Sequence, residues 1–216
     1  MESLELTGVV LLTQPLGEYD KRLVILTRER GKITAFAHGA RRPGSPIMAA
    51  CNPFVFGTFT VIPGRNAYTL RSANVANYFT ELAAAQPGVY YGFYFLELAS
   101  YFSAEEMEAG EMVNLIYVSL KAILKGAIPA EFLRKVYECR IMADNGVFAP
   151  PDEPGRMDQS AWYALKYTAG CKVTELFTFR LSEEAEKDYS EYVKRLLRRA
   201  VDRPLKSRAL LEAMTE

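Results

Sequence analysis

The residues best equipped for chemistry are few and scattered. His38 is the only histidine in 216 residues, so any triad built on an imidazole would have to use it. It stands beside Gly39 with no carboxylate close to it in sequence. Cys51, Cys139 and Cys171 lie far apart, and no pair has the C-x-x-C spacing of a metal knuckle or a redox couple. Free thiols are the expected state. The chain has no G-x-x-x-x-G-K-[ST] phosphate loop, no G-x-G-x-x-G and no H-E-x-x-H. Its strand-rich part lacks the D-x-D or E-x-x-E clusters that a metal-dependent nuclease would hold. No nucleophile, base and orienter can be assembled from this set. The expectation is a protein that is not an enzyme, with no catalytic residue, no cofactor and no metal site.

What the first third of the chain carries instead is binding chemistry. Arg22, Lys32, Arg41, Arg42, Arg65 and Arg71 alternate there with Tyr19, Phe36, Phe54, Phe56, Phe59 and Tyr68. Basic side chains that track phosphates, with aromatic faces that stack bases, are how single-stranded nucleic acid is held. Arg22, Lys32, His38, Arg41, Arg42, Arg65, Tyr68 and Arg71 are therefore the expected DNA-binding residues. Phe54, Phe56 and Phe59 are read as filler for a small barrel. Arg41 and Arg42 are read as functional, because their Gly/Pro-rich loop gives them no packing role. His38 either donates to a phosphate or satisfies a backbone carbonyl. Charge agrees in sign. The net charge is zero, yet residues 1–80 hold nine Lys/Arg against five Asp/Glu, and residues 81–150 hold five against nine. A basic head suits a polyanion.

These residues need strands to position them. Residues 4–14, 22–28, 32–38, 54–62 and 67–72 are short β-rich runs with turn residues between them. In 32–38 Ile33, Ala35 and Ala37 alternate with Lys32, Thr34, Phe36 and His38, the period of a sheet with two different faces. Gly39–Pro46 has two prolines and two glycines in eight residues and must be a loop. Gly57 inside the fourth run predicts a bulge or sharp bend.

From about Tyr78 the texture becomes helical. Residues 91–102 and 111–125 are helices by pattern; Pro129 opens another that Gly146 closes. A short helix is expected over 160–167, and Ser182 caps a longer one that runs to about Val201. The cations from Lys194 to Arg208 either form a second DNA surface or complement the helix dipole. The expected class is α+β: residues 1–78 a small five-stranded barrel or sandwich, residues 79–216 helical. There is no signal-like N-terminus and no apolar run of about 18 residues, so a soluble, cytoplasmic protein is expected.

The segment LGEYDKRLVILTRERGKITAFAHGARRPGSP, residues 16–46, resembles the N-terminal OB domain of the bacterial DNA repair protein family RecO. NPFVFGTF (52–59), YTLRSANV (68–75), YYGFYFLEL (90–98), ELFTFRLSEE (175–184) and DRPLKSRALL (202–211) are similar to that family as well. The resemblance implies a five-stranded OB-fold nucleic-acid-binding barrel over residues 1–78 with an all-helical domain behind it, and a nucleoid-associated recombination mediator. Such a protein binds single- and double-stranded DNA, anneals complementary strands, and works with RecR to replace single-strand-binding protein by RecA. It also implies contact with the acidic, apolar-ended C-terminal tail of single-strand-binding protein. A receptor for that tail is expected at Lys121, Lys125, Arg134 and Lys135, with Leu124, Phe132 and Val136 as its floor; alternatively these cations are solvated partners of Glu131 and Glu138.

Many members of the family hold a four-cysteine zinc site after the central helices. Here the corresponding loop, residues 146–159, and the helix after it supply only Cys171, so zinc is expected to be absent and packing by Trp162, Leu165 and Phe177 to replace it. Two other function classes fit the residues: an OB-fold adaptor with weak DNA contact, and an RNA-binding module.

Overall fold

The computed structural model describes residues 2–215. Five strands come first: β1 (Leu4–Leu16), β2 (Asp20–Thr27), β3 (Gly31–Ala37), β4 (Phe56–Pro63) and β5 (Tyr68–Asn77). They close into a barrel in the order β1-β2-β3-β5-β4, the five-stranded OB-fold arrangement. Alternation produces the core. In β3 Gly31, Ile33, Ala35 and Ala37 are buried, while Lys32, Thr34 and Phe36 face outward. Leu23, Ile25, Phe59, Val61 and Leu70 complete the interior. Each fully buried side chain of this size contributes on the order of 2 kcal/mol. Phe54, Phe56 and Phe59 are all buried, as their filler role requires.

Two details shape the barrel. The register between β4 and β5 shifts at Phe56/Gly57, where the bend was expected, and again at Thr60/Val61, where Arg71 becomes the extra residue of a bulge. Closure between β3 and β5 is parallel and short, Ala35 opposite Tyr68 and Phe36 opposite Thr69. Where β5 leaves β3, residues 104–106 take over its edge. The Lys32 N–H donates to the Ala104 carbonyl at 2.9 Å, the Glu106 N–H donates to the Arg30 carbonyl at 3.0 Å, and Gly31 bridges Glu105.

Six helices follow: α1 (Gly88–Phe102), α2 (Gly110–Lys125), α3 (Ala130–Asp144), α4 (Gln159–Gly170), α5 (Glu183–Ala200) and α6 (Lys206–Thr215). The chain forms two compact units. One is Met1–Glu81 with Leu96–Val113; the other is Leu82–Phe95 with Asn114–Glu216. The strand unit thus takes in the end of α1 and the start of α2. No helix among the described residues is long and apolar enough to cross a membrane.

Local chemistry sets the helix ends. The Asp158 carboxylate accepts the Ser160 and Ala161 N–H groups, and the Ser182 hydroxyl accepts the Ala185 N–H. Gly146, at φ +69°, lets the chain turn after α3, and the Val147 N–H returns to the Met142 carbonyl. In α5 Ala185, Tyr189, Val193 and Leu197 recur every fourth residue and are buried. The last element was not expected. Residues 206–215 form α6, which buries Leu211, with Leu205 buried just ahead of it. An open groove of about 420 Å³ lies there, lined by Leu197, Val201 and Leu205 and by Arg198, Arg203 and Arg208 beside Asp202 and Glu212.

Candidate nucleic-acid interface

The turn after β1 and the loop after β3 are built against each other. Asp20, the first residue of β2, divides its carboxylate between them. Oδ1 accepts the Gly39 N–H at 2.8 Å, and Oδ2 lies 2.7 Å from Nδ1 of His38. These contacts hold the Asp20 carboxyl below the usual range, the Gly39 amide contributing first and His38 second. The Arg41 N–H donates to the Tyr19 carbonyl at 2.8 Å, and its guanidinium to the Gly17 carbonyl at 3.1 Å. The Arg42 guanidinium lies 5.1 Å from the centre of the Tyr19 ring. Gly39 takes φ +68°, a conformation that admits the sharp departure from β3. Ala40 then plugs the barrel core while Arg41 and Arg42 stay exposed. The loop is a braced structure that presents two guanidinium groups.

Other cations join this end of the barrel. Arg22 pairs across β2–β3 with Phe36, and its guanidinium donates to Gln14 at 3.1 Å. Phe36 is in turn opposite Thr69 on the parallel strand β5. Arg71, the extra residue of the β5 bulge, is exposed. Arg22, His38, Arg41 and Arg42 thus gather at the end of the barrel where β1 turns into β2 and β3 gives way to its loop.

The remaining expected residues are placed elsewhere. The Lys32 ammonium donates to the Ser100 carbonyl at 2.7 Å. Arg65 is exposed on the β4–β5 turn. Tyr68 packs against the barrel core, its hydroxyl 3.5 Å from Glu106, a carboxylate that Arg30 holds at 2.7 Å.

Two further basic residues are not groove cations. Arg134 and Lys135 were expected to rim a receptor beside Lys121 and Lys125. They are 8% and 5% exposed and are bound to Glu138, which is fully buried. The Arg134 Nη1 lies 3.1 Å from Glu138 Oε1, and the Lys135 Nζ 2.8 Å from Oε2. The Tyr94 hydroxyl donates to Glu138 at 2.8 Å, and Arg134 also pairs with Glu131. Phe132 and Val136, the expected floor, lie in the core. Lys121 and Lys125 are exposed. The reason is that α3 is buried from Phe132 to Met142, so its charges neutralise one another inside the fold.

Asp20 and Lys21 were missed as contributors. The Lys21 ammonium reaches Asn52 Oδ1 at 3.1 Å and the Cys51 carbonyl at 3.4 Å, tying the short turn Ala49–Cys51 to β2. The available signal was the YDK run itself, directly ahead of an apolar strand.

The residues do not fit a zinc shell. Cys139 is buried and Cys171 half-buried, and no group of three or more His, Cys, Asp or Glu side chains among the described residues could hold a metal. Leu165 is buried in that region, as expected of a packing residue. The second apolar contribution comes from Leu176, fully buried, rather than Phe177, which is only half-buried.

Residues 1–79 match the family profile described as "Recombination protein O N terminal". These residues are the N-terminal domain of the RecO family. It is 32% identical over 140 residues to the DNA repair protein RecO of Alkaliphilus metalliredigens (strain QYMF), covering 65% of this chain and 57% of that protein. It is 33% identical over 152 residues to that of Desulforudis audaxviator (strain MP104C), covering 69% and 59%. The likeness to RecO of Acetivibrio thermocellus covers 94% of each chain at 23% identity. The chain thus spans under three fifths of the length of the first two relatives.

Proposed function

We propose that this chain acts in DNA repair as a RecO-type mediator that binds single- and double-stranded DNA and anneals complementary strands. On this reading it works with RecR to load RecA where single-strand-binding protein has coated the DNA. It binds rather than catalyses. The observation that carries the reading is the loop held by Asp20, which presents Arg41 and Arg42 on the same end of the barrel as Arg22, with Arg71 exposed on β5. Guanidinium groups fixed by backbone contacts meet phosphates with little ordering cost. The names of the relatives support the repair context. The acidic tail of single-strand-binding protein remains the proposed protein partner, with Lys121 and Lys125 as the exposed members of the set expected to receive it.

The test is a salt titration of single-strand binding. Four phosphate contacts predict a slope of log affinity against log salt of about −2.8. Charge reversal of both Arg41 and Arg42 should flatten it by about 1 to 1.5 and slow annealing of coated oligonucleotides. An unchanged slope in a folded double variant would remove this end of the barrel from the DNA site.

A further inference from the structure

Helix α4 presents an outer face unlike that of any other helix in the chain. Its inner face is ordinary: Ala161, Ala164, Leu165 and Thr168 are buried. On the other side Tyr163 is 57% exposed and Tyr167 41% exposed. Tyr163 and Tyr167 are one helical turn apart and make a contiguous aromatic patch, and such patches mark interaction sites. They are also held in place. The Trp162 indole N–H donates to the Pro151 carbonyl at 2.7 Å, and the Trp162 and Tyr163 rings lie 4.8 Å apart. The Tyr167 ring meets Phe179 edge-on at 5.6 Å, and its hydroxyl donates to the Glu175 carbonyl at 3.3 Å.

Charge gives the face its sign. The Lys166 ammonium sits 3.9 Å from the centre of the Trp162 ring, and Lys172 follows just after the helix. Among the described residues α4 is the one helix with no Asp or Glu. The nearest acids in sequence are Asp158, occupied as the helix cap, and Glu175.

From this combination we infer that the outer face of α4 is a second binding site for single-stranded nucleic acid, with Trp162, Tyr163 and Tyr167 stacking bases and Lys166 and Lys172 meeting phosphates. Fixed aromatic faces beside cations match a strand that offers π-faces and negative charge in alternation. An aliphatic protein partner would make no use of the lysines. The inference rests on the reading of the chain as a strand-annealing protein and deepens it: annealing requires two strands to be held, and the barrel end supplies one site.

Trp162 is the only tryptophan, so its fluorescence reports this face alone. The full chain is titrated with oligothymidylate of about 20 nucleotides, longer than one OB-fold site. Indole emission and the anisotropy of a labelled oligonucleotide are followed together. Saturable quenching of Trp162 that persists when Arg41 and Arg42 are both changed to Glu is expected. The Tyr163→Ala/Lys166→Ala variant should bind about tenfold more weakly. Both positions are exposed, so circular dichroism should be unchanged. Binding seen by anisotropy with flat Trp162 emission, or with full affinity in that variant, would overturn the inference and leave the barrel site standing. Quenching by the acidic tail peptide but not by oligothymidylate would assign the face to a protein and overturn it as well. No strand binding by either signal would overturn this inference and the proposed function together.

Discussion

Nδ1 of His38 lies 2.7 Å from Oδ2 of Asp20, and the other oxygen of the same carboxylate holds the Gly39 amide. A negative charge therefore sits inside a surface proposed to receive phosphates. Its role there is to brace the loop, and this leads to a counter-intuitive expectation. Asp20→Ala removes an anion yet should weaken single-strand binding, by about three- to tenfold. Anisotropy titration checks it; tighter binding would show that the carboxylate merely repels DNA. The pH dependence follows from the lowered carboxyl. Because the folded value is below the unfolded one of about 3.9, the bracing contribution is present above that pH and is lost as pH falls through the folded value. The Gly39 amide shift should show a step in acid, as the Asp20 carboxylate is protonated.

Glu138 is the anion around which Arg134, Lys135 and Tyr94 gather inside the helical unit. Glu138→Ala leaves two buried cations facing one another and should cost about 3–5 kcal/mol of stability. Urea unfolding measures it. Replacing Arg134, Lys135 and Glu138 together by Met, Met and Leu should recover most of that loss, because no charge is then stranded. A loss below about 1 kcal/mol in the single variant would mean that water reaches the cluster.

The cysteines give a third expectation. Burial pushes the Cys51 thiol up to about 11 and the Cys139 thiol up to about 12; both side chains are enclosed. Cys171 is the partly accessible one, also shifted upward by burial. An aromatic disulfide reagent at pH 8 should therefore modify one thiol in the native protein and three after denaturation. Chelator should change neither the count nor the melting temperature, and elemental analysis should find no stoichiometric zinc. One zinc per chain would contradict this.

Much of the barrel was legible because strand alternation is a local signal. The β3 pattern and the bend at Gly57 are written in adjacent residues. β5 ran on to Asn77, beyond the expected end at residue 72, because Ala73 and Val75 still pack against the core. The tail was misread because its cations dominated: α6 has apolar residues at Ala209, Leu210, Leu211, Ala213 and Met214, yet of these only Leu211 is buried. The site was legible in part. GEYD and GARR stood out as turn and loop, but their mutual bracing depends on a contact between residues 18 positions apart. Arg134 and Lys135 misled for a related reason. Charges on a helix are usually solvated, and only the tertiary surroundings of α3 show that these are enclosed.

The segment that seals β3 has a consequence for how the barrel can be handled. Residues 104–107 lie far along the chain from the strand they cover, and Gly31 fits them tightly. At φ +60°, a Cβ there would stand 2.4 Å from the carbonyl oxygens of Ala104 and Met107. A fragment cut at residue 79, where the family profile ends, would lose that cover. The Lys32 N–H and the Arg30 carbonyl would then face water as an open strand margin, a template for pairing with a second fragment. Extending the fragment to residue 113 keeps the seal, so the smallest piece expected to stay monomeric is longer than the barrel itself.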